Sequence, residues 1–155
     1  TIRFNFRGVG KSEGIYDDGE GELSDAACVL DWLQQYNTNS KTCWVAGFSF
    51  GAWIAMQLLM RSPEINRFIA ISPQPNVYDF SFLSPCPTSG LMTYGKKDEL
   101  VPIEFIEELN KRLSAQKGIK VEFQSVPDAN HFFSKSEKNL INTLEKYIKK
   151  ETTVF

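Results

Sequence analysis

Cys43-Trp44-Val45-Ala46-Gly47-Phe48-Ser49-Phe50-Gly51-Ala52-Trp53-Ile54-Ala55-Met56 decides the architecture of this chain. Residues 43–48 form an apolar run that reads as a buried strand, and residues 50–60 read as a helix that stops before Ser62-Pro63. Between them stands Ser49, with a glycine two residues before it and another two residues after it. A sharp strand-to-helix turn forces its central serine into a strained backbone conformation, and bulky neighbours would collide with the adjacent chain. The serine then stands clear of the sheet at a helix N-terminus, where backbone N–H groups can meet an anionic oxygen. On the pentapeptide alone, a glycine-punctuated connection carrying an incidental serine fits equally well.

Outward from this stretch, strand-like and helix-like segments alternate. Residues 2–6 alternate like a strand, and a loop rich in glycine and acid follows over 7–21. Residues 22–36 read as a helix, with Leu23, Ala26, Ala27, Leu30, Leu33 and Tyr36 on one face. Residues 67–71 are a third strand, 72–87 a proline-rich loop with several aromatics, and 90–94 a fourth strand. A helix started by proline covers 102–116, and a fifth strand covers 120–126. The last element, 134–150, is an amphipathic helix with Leu140, Ile141, Leu144 and Ile148 inward and Ser134 or Ser136 as N-cap. Strands separated by helices predict an α/β fold: a mostly parallel sheet with helices on both faces in three layers. Residues 1–150 are expected to form one domain, with a tail over 151–155.

Composition narrows the functional classes. With 42% hydrophobic and 23% charged residues, the chain has the make-up of an ordinary globular domain. A net charge of -2 and the lack of any Lys/Arg cluster give no basis for nucleic-acid binding. No apolar stretch approaches the roughly 20 residues that span a bilayer, so no membrane partner is expected. Cys28, Cys43 and Cys86 are odd in number and widely spaced, and with one histidine they predict no metal site and no cofactor. Unpaired cysteines point to a reduced, cytoplasmic setting. The oligomeric state is not legible.

A serine hydroxyl is a poor nucleophile until a general base removes its proton, and that base is usually a histidine oriented by a carboxylate. The sole histidine, His131, lies between the last strand and the last helix. A lone histidine is by default structural or exposed, but this one sits at the edge where the C-termini of parallel strands gather, as Ser49 does. Asp98 follows the fourth strand at that same edge, although a turn or helix-start aspartate is common in its own right. The order serine, aspartate, histidine, each directly after a strand, is the one expected for elbow-type hydrolases.

These residues resemble the α/β-hydrolase superfamily from its fourth strand onward. Arg7-Gly8-Val9-Gly10-Lys11-Ser12 is similar to that family's RGxGxS turn, and GFSFG at 47–51 to its nucleophile elbow. GKKDELVP at 95–102 is similar to its acid turn, and DANHFF at 128–133 to its histidine turn. More narrowly, RFNFRGVGKSEG, GFSFGA, YDFSFL and NHFF resemble small bacterial hydrolases related to dienelactone hydrolase and acyl-peptidase-like esterases. The resemblance implies Ser49 as nucleophile, His131 as base, Asp98 as its orienting acid, and the Phe50 N–H as one oxyanion donor. The family's sheet starts with three further strands, and the loop after the third gives the second oxyanion donor. This sequence carries neither, so it is expected to be a fragment with a gap in its sheet, beginning at the family's fourth strand. A non-catalytic binding protein of the same fold and an inactive gene fragment are the alternatives that this leaves open.

Gly8-Val9-Gly10-Lys11-Ser12 also ends like a phosphate-binding P-loop, GxxxxGK[ST]. The first glycine of that pattern would fall on Asn5, and Glu13-Gly14 follow where a helix is required. Nucleotide binding is therefore a minor alternative. About twenty residues between the third and fourth strands are too few for a helical lid. Tyr78, Phe80 and Phe82 in that connection are candidates for an apolar pocket wall, although packing onto the core accounts for them at least as well. A small acyl ester or thioester is the substrate these features suit best.

Overall fold

The computed structural model describes residues 1–153; residues 154–155 lie outside it. In chain order the elements are α1 (Glu20–Tyr36), β1 (Trp44–Phe48), α2 (Phe50–Arg61), β2 (Arg67–Ile71), β3 (Gly90–Gly95), α3 (Ile103–Ser114), β4 (Val121–Val126) and α4 (Glu137–Thr152). A single 3₁₀ turn, Ser81–Leu83, interrupts the connection between β2 and β3, and no lid is built there. The four strands form one parallel sheet in the order β1-β2-β3-β4. Each crossover therefore returns to the same end, and all four strand C-termini meet along one edge.

Alternation along the strands builds the layers. Phe68, Ala70 and Met92 face a core shared with Leu23, Ile54, Met56, Leu109 and Leu113, so α1, α2 and α3 cover one side of the sheet. Ile69 and Leu91 point the other way, onto Tyr147 and Leu144 of α4. The central strands are apolar on both faces because both are covered. No helix among the described residues is long and apolar enough to cross a membrane.

Three expectations from sequence are corrected here. Residues 2–6 form no strand. An alternating pattern fits a strand but cannot supply a pairing partner, and a cavity of about 140 Å³ separates Ile2, Phe4 and Phe6 from Trp44, Val45 and Ala46 of β1. The sheet thus has four strands rather than five. On α4, Ile141 and Ile148 are exposed and Tyr147 is the buried residue, because the covered stripe runs through Leu140, Leu144 and Tyr147. On α1, Tyr36 is exposed and rests on Trp32 at a centroid separation of 4.5 Å, beyond the reach of the core. Ser136 stands at the N-cap of α4, without a side-chain capping bond. The tail expected over 151–155 falls partly in α4, which runs through Thr152, and partly outside the described residues.

Candidate active site

Ser49 occupies the junction of β1 and α2 with φ 53° and ψ -118°, a strained conformation for a residue with a Cβ. Two bonds hold it there: its N–H donates to the Ile71 carbonyl at 2.8 Å, and its carbonyl accepts from the Ala52 N–H at 2.9 Å. The two glycines of the pentapeptide differ in what they do. A Cβ on Gly47 would run into the backbone of Gly51, whereas a Cβ on Gly51 would meet only Phe6 Cε2 at an ordinary 3.7 Å. Close approach thus requires Gly47 alone.

His131 reaches the serine from the loop after β4. Its ring is 1% exposed and packs beside Phe48 and Phe132, with ring centroids 5.6 and 5.1 Å away. His131 Nε2 lies 2.9 Å from Ser49 Oγ, and His131 Nδ1 lies 2.8 Å from Asp98 Oδ2. The other oxygen of Asp98, Oδ1, accepts from the backbone N–H groups of Leu100 and Val101 at 2.9 and 3.0 Å. Its acceptor positions are thereby used on both sides, which fixes the carboxylate plane toward the imidazole. The structure thus brings Ser49, Asp98 and His131 together from three strand ends.

Backbone contacts set this spacing. The Lys96 N–H donates to the Val126 carbonyl at 3.0 Å, and the Lys97 N–H to the Ala129 carbonyl at 2.9 Å. The two turns meet closely enough that a Cβ on Gly95 would strike the Ala129 carbonyl. Lys97 also pairs with Asp128 across the turns at 2.5 Å, and this bond holds the Asp128 carboxyl below its ordinary value. Ser72, itself at φ 46° and fully buried, donates its hydroxyl to the His131 carbonyl at 2.8 Å.

Two residues that hold this arrangement escaped the sequence reading. Gln74, in Ser72-Pro73-Gln74-Pro75, places its side-chain Oε1 2.8 Å from Ser49 Oγ, where it accepts from the hydroxyl. Ser72 anchors the histidine loop, as above. Their only sequence signal is position directly after a strand at the functional edge, the same signal that Asp98 carries.

The pocket candidates divide. Phe80 is 2% exposed and belongs to the core, and Phe82 stacks on it at 6.3 Å, so both pack the loop down. Burial of their large apolar surface against the core outweighs placing them at the opening. Tyr78 stacks on Trp53 at 4.7 Å and meets Phe50 edge-on at 5.7 Å, next to the elbow. An open depression of about 510 Å³ runs along the elbow, lined by Arg3, Phe4, Phe6, Phe48, Ser49 and Phe50. Gly8-Val9-Gly10-Lys11-Ser12 lies in turns, and the next helix begins only at Glu20, so the chain supplies no helix N-terminus for a phosphate there.

This arrangement of sheet, elbow and loops is the α/β-hydrolase fold. The model of the dienelactone hydrolase family matches residues 15–153, and the chain belongs to that family. An uncharacterized protein of Rickettsia prowazekii is 48% identical over 152 residues, covering 96% of this chain; the chain spans 64% of that relative's length. Among solved structures, an Agrobacterium tumefaciens protein of unknown function, grouped with the α/β hydrolases, is 52% identical with a TM-score of 0.95. The match covers 97% of this chain and 69% of that one. An α/β serine hydrolase homologue from Coxiella burnetii is 34% identical with a TM-score of 0.85, over 94% of this chain and 67% of its own. A lidless α/β serine hydrolase from Xanthomonas campestris is 31% identical with the same TM-score, over 96% of this chain and 65% of its own.

Proposed function

We propose that the protein is a serine hydrolase that cleaves a small ester or thioester through an acyl-enzyme. The observation that carries this is the unbroken line from Ser49 Oγ to His131 Nε2 at 2.9 Å and from His131 Nδ1 to Asp98 Oδ2 at 2.8 Å. In this reading Ser49 Oγ attacks the acyl carbonyl while its proton passes to His131 Nε2, and the imidazolium returns that proton to the departing oxygen or sulfur. Asp98 holds the tautomer and stabilises the imidazolium. The Phe50 N–H, at the first position of α2 and without an intrahelical acceptor, faces the developing oxyanion. A water then repeats the sequence on the acyl-serine and releases the acid. The open, lidless edge favours a small acyl group over a long one.

The test is labelling by a fluorophosphonate probe together with hydrolysis of short p-nitrophenyl esters. Ser49→Ala is expected to abolish both while leaving the fold intact. Labelling that persists in the alanine variant would sink the assignment.

A further inference from the structure

Ser49 Oγ has two polar neighbours at bonding distance and only one proton to give. His131 Nε2 stands at 2.9 Å and Gln74 Oε1, an acceptor as placed, at 2.8 Å. A hydroxyl donates once and accepts through its lone pairs, so the partners cannot both be acceptors. Asp98 decides the count. Its Oδ1 takes two backbone N–H groups, and its Oδ2 faces His131 Nδ1, so Nδ1 carries a proton. In the neutral imidazole Nε2 is then an acceptor and claims the Ser49 proton. With that proton committed, Oγ meets Gln74 only as an acceptor. The amide must turn its N–H toward the serine, a half-turn that leaves the shape of the side chain unchanged.

We propose that Gln74 is a positioning residue that aims the Ser49 proton: its amide N–H donates to Oγ while the imidazole is neutral, leaving the hydroxyl no acceptor but His131 Nε2. This rests on the serine-hydrolase reading above and deepens it. When His131 is an imidazolium, Nε2 donates to Oγ, and the hydroxyl turns to the Gln74 carbonyl oxygen. A carboxamide serves both states because it carries a donor and an acceptor on one plane; neither a carboxylate nor an apolar side chain does.

The loop is built to hold that amide still. Pro73 and Pro75 flank Gln74, and its carbonyl accepts from the N–H groups of Val77 and Tyr78 at 3.0 and 2.9 Å. Two residues earlier, the Ser72 hydroxyl ties the same loop to the His131 carbonyl at 2.8 Å. One segment therefore fixes the base through its backbone and the nucleophile through a side chain.

Rates of fluorophosphonate labelling across pH, on the whole chain, test this with Gln74→Met, Gln74→Glu and Ser49→Ala. Gln74→Met keeps the length of the side chain and removes the bond, and labelling is expected to slow roughly 5- to 10-fold at its optimum. Gln74→Glu places an acceptor-only, anionic group at Oγ that draws the hydroxyl away from Nε2 and favours the imidazolium. Its acid limb is expected to move up by about one pH unit. If both variants keep the wild-type profile while Ser49→Ala is silent, the inference on Gln74 alone falls. Slower labelling in Gln74→Met with no shift in Gln74→Glu marks a packing role and overturns it as well. Labelling of Ser49→Ala at the wild-type rate, or an unreactive wild-type chain, removes the nucleophile reading and this inference with it.

Discussion

At the residue scale the two elbow glycines make a test of close packing. Gly47 has no room for a methyl group against the Gly51 backbone, while Gly51 has ordinary van der Waals space. Gly47→Ala is expected to cost about 3 kcal/mol or more of unfolding free energy, because backbone must move to admit the Cβ. Gly51→Ala is expected to stay within about 1 kcal/mol of wild type. Chemical denaturation of the two variants measures the difference, and equal losses would refute the assigned asymmetry. Sequence spacing made the glycines look equivalent. It also made Ser49, Asp98 and His131 legible, since each follows a strand and carries a side chain with known chemistry. Gln74 was illegible because Ser-Pro-Gln-Pro carries the chemistry of a turn, and only the folded loop shows where its amide points.

At the element scale, the segment leading into α1 is fastened by buried charge. The Glu22 carboxylate accepts from the Gly19 N–H at 2.9 Å and the Asp17 N–H at 3.0 Å, closing a capping box at the start of the helix. Burial alone would raise its carboxyl, but those backbone bonds and the charge of Arg7 outweigh burial and hold it below its ordinary 4.5. Asp25, bonded by Arg7 at 2.8 and 2.7 Å, is likewise held down, chiefly by that side-chain bond. A depressed folded-state value stabilises the protein at pH above the unfolded-state value, and that contribution is lost as acid protonates the folded group. The thermal midpoint of the wild type is therefore expected to drop between about pH 5 and about pH 3. Glu22→Gln, which cannot titrate, is expected to show a shallower slope over the same range; an identical slope would contradict the role given to Glu22. The aromatic loop between β2 and β3 shows the limit of pattern at this scale. Phe80 and Phe82 recur two residues apart, but without a sheet to define faces that spacing does not say which side is core.

On the scale of the whole molecule, the sheet has a firm middle and a soft edge. β2 and β3 are paired on both sides, whereas β1 is paired only with β2 among the described residues, and the segment at 2–6 stands off across a cavity. Amide hydrogen exchange is expected to be slowest in β2 and β3. The amides of β1 that point away from β2 are expected to exchange at least ~100-fold faster. Uniform protection across all four strands would show that the β1 edge is covered in solution. The parallel sheet and its two covered faces were readable from the alternation of apolar runs with helical periods, whereas the order of strands was not. Whether residues 2–6 would pair was not legible either, because pairing is a property of two strands and the alternating pattern describes one.

The distance along the chain between the members of the site has a consequence of its own. Ser49 and His131 touch across 82 residues of sequence, and Asp98 and His131 across 33. On the serine-hydrolase reading proposed above, the elbow leaves the ribosome long before His131 is made, so the emerging chain displays an unarmed serine. On that reading, reactivity is expected to switch on only when β4 has docked on β3 and brought the histidine loop to the strand C-termini where Ser49 stands. Labelling of Ser49 thus counts completed molecules rather than local structure. In refolding from denaturant it is expected to appear with the last phase of tertiary assembly, after helical signal has recovered, and labelling that kept pace with the helices would contradict this.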